Sequence, residues 1–371
     1  MEQKPIPDRS VKEINEVGKI AKFYGFKPII APNLEKEGLK EAFIRIYFEE
    51  RMMASPQPNM FYCEKSHKAS KLDCSIVSLG SSKSICECLS IETGITILNS
   101  LGYKNLEVEI NSIGDKESMN EFQKKLAVFV RKNINSFSAN LRQAVKKDLC
   151  AIFKEKKDEC ANFDTECPKS IDFLSETSRL HFKEVIEFLE VLDIPYQINP
   201  HLVGDLDIGS ETVFAIKNDG EELAYGFRFN RLAKKLGCKK DLPATILDIS
   251  AKLPSSAKTT ADKAKKSLKK VKVKNTKPQF YLIQFGPEAK LKSFLILKEL
   301  YKAGVNVVHT IAKDKLGGQM TTAENSEAPY IILIGQKEAL DNSVVIRNTS
   351  TRAQETVLIG NLAARAKELA K

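Results

Sequence analysis

Between residues 252 and 277 the chain carries ten lysines against one acid, Asp262, interleaved with Ser, Thr and Ala and without apolar periodicity. No packed core takes up such a run, because each buried ammonium would lose its hydration without a partner. The stretch reads as a flexible linker that divides the 371 residues into two folding segments, 1–251 and 278–371. It also holds nearly all of the net charge of +10, leaving the remainder close to neutral. Lysines such as Lys265, Lys266, Lys269 and Lys270 would gather RNA phosphates and release counterions, giving salt-dependent, sequence-blind affinity. The alternative is a solvated spacer.

In the first segment, Val11, Ile14, Val17, Ile20, Ala21 and Tyr24 recur at helical spacing, predicting a helix that feeds a strand in KPIIAPNLE. A second helix is expected in KEAFIRIYFEERMMAS, then a hairpin around a basic turn in NMFYCEKSHKASKLDCSIVSLG. KSICECLSIETGITILNSLGY reads as a buried helix and NLEVEINSIG as a strand with Leu106, Val108 and Ile110 on one face. A charged helical insert follows at about 116–190. LVGDLDIGSETVFAI, residues 202–216, reads as a buried strand, and Asp219-Gly220 turns it into a hairpin partner. The second segment alternates strand and helix, which predicts a mixed sheet.

A composition of 42% hydrophobic and 29% charged residues is that of a soluble globular protein, and no stretch approaches the roughly 20 apolar residues of a membrane span. The first residues contain no apolar run suited to export, so a cytoplasmic location without membrane contact is expected, and the eight cysteines are expected to be free thiols. Cys86 and Cys88 lack a zinc-knuckle gap, and Cys150, Cys160 and Cys167 have only His181 near as a fourth ligand, so no metal is expected. Asp205 and Asp207 are expected to serve local hydrogen bonding and solvation, and His67 and His201 to be ordinary surface or turn residues. No Ser-His-Asp order, P-loop or dinucleotide fingerprint is present.

LEVEINSIGD, DIPYQINPHLVGDLDIGSETVFAI and ELAYGFRFNRLAKKLG, followed by PQFYLIQFGPEA, AGVNVVHTI, PYIILIG and IRNTSTRAQETV, resemble histidyl-tRNA synthetase, a class II aminoacyl-tRNA synthetase, in order and over most of the chain. The resemblance implies an α+β fold, with an antiparallel sheet core (1–251) carrying the helical insert. A C-terminal α/β anticodon-binding-type domain (278–371) follows the linker (252–277). It also implies histidine activation by ATP and Mg2+, which needs cations on the phosphates and polar groups around the histidine ring.

Several of those groups are missing. The hairpin that should carry the phosphate arginine is short, with Lys68 as its best substitute, and a lysine lacks the bidentate fork. Gly204 stands where the histidine-specific arginine belongs, and Ile208 and Gly209 replace two tyrosines, although Asp207, Thr212, Val213 and Phe214 remain. Arg228 is kept in GFRFNRL, but LPATILDISAKL, where a closing helix with a γ-phosphate arginine should follow, contains no arginine. The expectation is a catalytically degenerate member, without a certain cofactor, that binds tRNA or another structured RNA. Lys313, Lys315, Gln319, Arg347 and Arg352 are its candidate contacts, and the family's dimer motif at 11–35 implies a homodimer. One alternative is an active histidine–tRNA ligase in which Lys68 and Arg228 hold ATP. The other is a regulatory subunit resembling the synthetase-like partner of ATP phosphoribosyltransferase, a family that usually lacks the anticodon domain.

Overall fold

The computed structural model describes residues 13–32, 37–68, 71–154, 163–252, 271–272, 277–313 and 315–370. The first helix, α1 (Glu16–Phe23), starts later than its periodicity suggests, because Asn15 caps it by accepting from the Gly18 amide at 2.9 Å. Glu13–Ile14 ahead of it form β1, and the predicted strand after Gly25 is only β2 (Lys27–Pro28). Helix α2 (Leu39–Glu49) leads to the hairpin of β3 (Asn59–Lys68) and β4 (Lys71–Leu79), and α3 (Ile85–Ser100) to β5 (Leu106–Gly114). The insert comprises α4 (Lys116–Asn133), α5 (Ala139–Lys147), the short α6 (Ala151–Lys154) and α7 (Phe163–Glu166), and α8 (Glu176–Val191). Then come β6 (Tyr196–Ile198), the hairpin β7 (Ser210–Asn218) and β8 (Glu221–Arg228), α9 (Leu232–Lys235) and β9 (Ala244–Lys252).

These strands form one eight-stranded sheet, ordered β2-β3-β4-β9-β8-β7-β5-β6, antiparallel except for its outermost pairs β2–β3 and β5–β6. Asp219 (φ 48°) and Gly220 (φ 84°) supply the left-handed backbone that a two-residue hairpin turn requires. Alternation along the strands gives the sheet two buried faces. Ile76, Leu247, Ile249, Phe214 and Ile216 pack with α3 and α8, while Val77, Ile246, Phe227 and Val213 pack with α2 and α4. Helix α3 lies so close that a Cβ on Gly94 would stand 2.6 Å from Leu247 Cδ2, which explains the glycine.

The C-terminal domain is a five-stranded sheet, β12 (Val307–His309), β11 (Phe280–Gln284), β13 (Tyr330–Ile334), β14 (Ser343–Asn348) and β15 (Gln354–Leu358) in spatial order. β11 pairs in parallel with both neighbours and the last two pairings are antiparallel, as the strand–helix alternation predicts. Its helices are α10 (Pro287–Ala303), α11 (Leu316–Asn325), α12 (Gln336–Leu340) and α13 (Ile359–Leu369). Pro287 at the first turn of α10 and Gly304 in the left-handed region after it set that helix's limits.

The two segments do not keep separate cores. Phe188 of α8 meets Phe294 of α10 edge-on at 5.0 Å, Phe23 meets Tyr301 at 5.2 Å, and one apolar cluster runs through both domains. Lys298 donates to the Leu192 carbonyl at 2.8 Å, and the His309 ring bonds the Phe23 carbonyl at 3.1 Å. Within the lysine-rich segment, Val271–Lys272 form β10, paired antiparallel with β1 at the start of the core. Lys265, Lys266, Lys269 and Lys270 lie outside the described residues.

Candidate functional site

The β3–β4 hairpin carries a buried ion cluster around Lys65, a residue that sequence reasoning passed over. A register shift between Glu64 and Ser66 sits at Lys65, and its ammonium reaches Asp248 at 2.8 Å and Asp73 at 3.5 Å. The Ser75 hydroxyl also donates to Asp248, its direct cross-strand neighbour on β9. Burial disfavours the Lys65 charge, but the two carboxylates win and raise its pKa. The trio carries a net charge of −1. Finding it requires the β4–β9 register, because Asp73 and Asp248 are far apart in sequence. Lys68, the expected cation, is the last residue of β3, opposite Lys71, and its side chain lies outside the described part.

Asp205 and Asp207 are not on a strand. β7 begins only at Ser210, and the segment before it is a turn. Asp205 builds that turn: its carboxylate accepts from the Asp207 amide at 2.8 Å and its carbonyl from the Gly209 amide at 2.7 Å. The apolar residues that suggested a buried strand, Val203, Leu206 and Ile208, are buried from within this turn. Asp207 is exposed and paired with Lys235 at 2.8 Å, a bond that lowers its pKa, and Arg231 ties the turn down by donating to the Leu206 carbonyl. At Gly204 a Cβ would stand 3.4 Å from both the Tyr225 hydroxyl and Val213 Cγ2.

Arg228, the candidate ATP ligand, is turned inward. Its side chain is 0% exposed and makes four hydrogen bonds, two to the Glu87 carboxylate and one each to the carbonyls of Ser81 and Lys83. Glu87, also fully buried, accepts a further bond from the His181 ring at 2.8 Å. Burial alone would raise the Glu87 pKa, but Arg228 and His181 hold it down to about 2. Nearby, the backbone of Glu211 is left-handed at φ 53°, and burial raises the pKa of its carboxyl. Arg228 therefore fixes the start of α3 to the end of β8. In the stretch where a closing helix was expected to follow, Ala244–Lys252 form the strand β9. Its β-branched, alternating ATILDIS supports a strand paired on both sides.

In the C-terminal domain Gln319 is also internal. It is 0% exposed, accepts from the Gln284 amide at 3.2 Å and donates to the carbonyls of Gln284 at 2.8 Å and Lys313 at 3.1 Å. It latches α11 to β11, so as an RNA contact it is corrected to a structural residue: its amide has no solvent-facing surface. Lys315 and Arg352 are exposed, Lys313 and Arg347 half-buried. The seven described cysteines are free and six are buried, while Cys160 lies outside the described residues. Among the described residues no three His, Cys, Asp or Glu side chains come together as a metal site, and no helix is long and apolar enough to cross a membrane. His201 stacks on Phe163 at 5.1 Å, and the His67 side chain lies outside the described part.

Residues 279–369 match the family model described as the anticodon binding domain. Over 321 residues the chain is 27% identical to the histidine–tRNA ligase of Listeria innocua, covering 85% of this chain and 72% of that protein. It is 25% identical over 346 residues to that of Bacillus licheniformis, covering 87% and 78%. Its fold matches that of apo histidyl-tRNA synthetase from S. aureus with a TM-score of 0.50 at 20% identity, over 98% of this chain and all of that one. With the mostly antiparallel eight-stranded core and the 279–369 match in place, the chain is similar to histidyl-tRNA synthetases in sequence over most of its length and shares their fold.

Proposed function

We propose that this protein binds structured RNA of the tRNA class through its C-terminal domain and lysine-rich segment, and that its core does not activate histidine. The observation that carries the second half is the engagement of Arg228, the one pocket arginine kept, with Glu87 and two backbone carbonyls. A guanidinium so committed cannot also clamp a triphosphate without breaking a buried ion pair. Lys65 of the adjoining hairpin is likewise committed to protein partners, the Asp73 and Asp248 carboxylates. RNA binding is supported by the anticodon-domain match at 279–369, the exposed Lys315 and Arg352, and the ten lysines at 252–277. A cytoplasmic homodimer is part of the same reading.

The test is histidine-dependent pyrophosphate exchange and charging of tRNA by the purified chain, alongside RNA binding at low salt. Binding without exchange is expected; exchange above background overturns the silent core, and absence of RNA binding overturns the rest. Light scattering at several concentrations checks the dimer. The ligase names of its relatives favour a second reading, an active ligase with a remodelled pocket, and the exchange assay decides between the two.

A further inference from the structure

At the joint between the domains, α1, α3 and α10 come together around one buried carboxyl. Glu92 of α3 is 2% exposed, and its Oε1 accepts from the Tyr24 hydroxyl at 3.0 Å and from the Thr96 hydroxyl at 3.4 Å. Its Oε2 is buried and has no hydrogen-bond partner among the described residues. Tyr24, at the end of α1, is itself fully buried, and its ring lies 6.2 Å from that of Tyr301 on α10, which also meets Phe23. The carboxyl therefore belongs to the aromatic contact by which the C-terminal domain docks on the core.

The groups that face Glu92 come from all three helices. Tyr24 and Thr96 bring hydroxyls, and Lys298 and Lys302 of α10 bring positive charge. Both ammonium groups are engaged elsewhere: Lys298 donates to the Leu192 carbonyl at 2.8 Å and Lys302 to the Glu299 carboxylate at 2.8 Å, so neither closes on Oε2. Burial raises the Glu92 pKa above its ordinary 4.5, against Lys298, Tyr24, Thr96 and Lys302. Burial and the Glu92 charge also push the Tyr24 hydroxyl up, so Tyr24 stays a donor. Ionised, Glu92 would hold a full charge on an unsolvated oxygen; neutral, it leaves one polar group unpaired, a smaller loss.

We propose that Glu92 is a proton-operated latch on the domain joint: the neutral carboxyl lets α10 close on α1 and α3, and its ionisation loosens that closure until water or the Lys298 ammonium reaches Oε2. The latch sets how firmly the C-terminal domain is held against the core, and it stands apart from RNA binding and histidine activation. Its contribution to stability is full below pH 4.5, where the folded and unfolded chains both carry the proton, and is lost as pH rises through the higher folded value. His309 works in the opposite sense at the same joint, costing stability as pH falls from 6.5 toward 4, so single variants are needed to separate the two.

Thermal melting of the full chain between about pH 4 and 8 compares the wild type with Glu92→Gln, which mimics the neutral acid. The two should differ least at the acid end, and the variant should gain about 2 °C per pH unit over the wild type until the folded chain has lost the Glu92 proton, the difference then levelling off. Lys298→Gln, which removes the main opposing charge, should extend the wild-type loss to higher pH. Because the chain contains no tryptophan, Tyr301→Trp places a single reporter at the joint. Acrylamide should quench that reporter more strongly as pH rises, and adding Glu92→Gln should remove the increase. A Tm difference between wild type and Glu92→Gln that does not change with pH, or quenching at the joint that ignores pH, would each overturn the proposal.

Discussion

Arg228 and Glu87 meet across 141 residues of sequence in a two-point ion pair from which solvent is excluded on both sides, with Nε 2.7 Å from Oε1. Such a pair ties the sheet end to α3 and gives little net stability of its own, yet removing one partner strands a buried charge. Arg228→Met or Glu87→Leu should therefore each cost about 3–5 kcal/mol in urea unfolding, and the double variant markedly less than their sum. Additive losses would show that the pair is not coupled in this way.

The joint between domains should loosen in acid. Burial pushes His309 down to about 4 from an ordinary 6.5, its bond to the Phe23 carbonyl opposing. Between those values the unfolded chain takes up a proton that the folded chain does not, so His309 costs stability progressively as pH falls from 6.5 toward 4. Comparing Tm across that range with a His309→Gln variant, which cannot titrate there, should show the wild-type slope reduced.

RNA binding should separate surface cations from internal groups. Charge reversal at Lys315 or Arg352 should weaken tRNA binding and lower the slope of log K against log salt by about 1 each. Gln319→Ala should instead lower Tm and leave the salt slope intact, because its amide bonds only β11 and the Lys313 carbonyl. Filter binding at several salt concentrations, with melting curves, distinguishes these outcomes.

Two glycines should respond oppositely to alanine. At Gly226 a Cβ would stand 2.4 Å from Phe214 Cζ and 2.9 Å from the Ile246 carbonyl oxygen, so Gly226→Ala should destabilise by about 1–3 kcal/mol in urea unfolding. At Gly204 the nearest atoms are 3.4 Å away, ordinary contact, and Gly204→Ala should fold like the wild type. A large loss at Gly204 would mean that the backbone itself demands a glycine there.

Local order was legible in the chain because it depends on near neighbours. Asp219-Gly220 forced a tight hairpin and the alternation in NLEVEINSIG a strand. The ordered segments resembling the synthetase family likewise fixed the fold and the C-terminal domain. Apolar spacing misled where burial came without regular structure: Val203, Leu206 and Ile208 are buried in a turn that Asp205 holds together, so a strand was expected eight residues too early. What tertiary structure alone decided was the direction and company of the polar side chains. A sequence shows that Arg228, Gln319 and Lys65 are present. Only the packing of α3 on β8, of α11 on β11 and of β9 beside β4 determines that each is enclosed by partners from distant segments, and whether a charge is offered or spent depends on those partners.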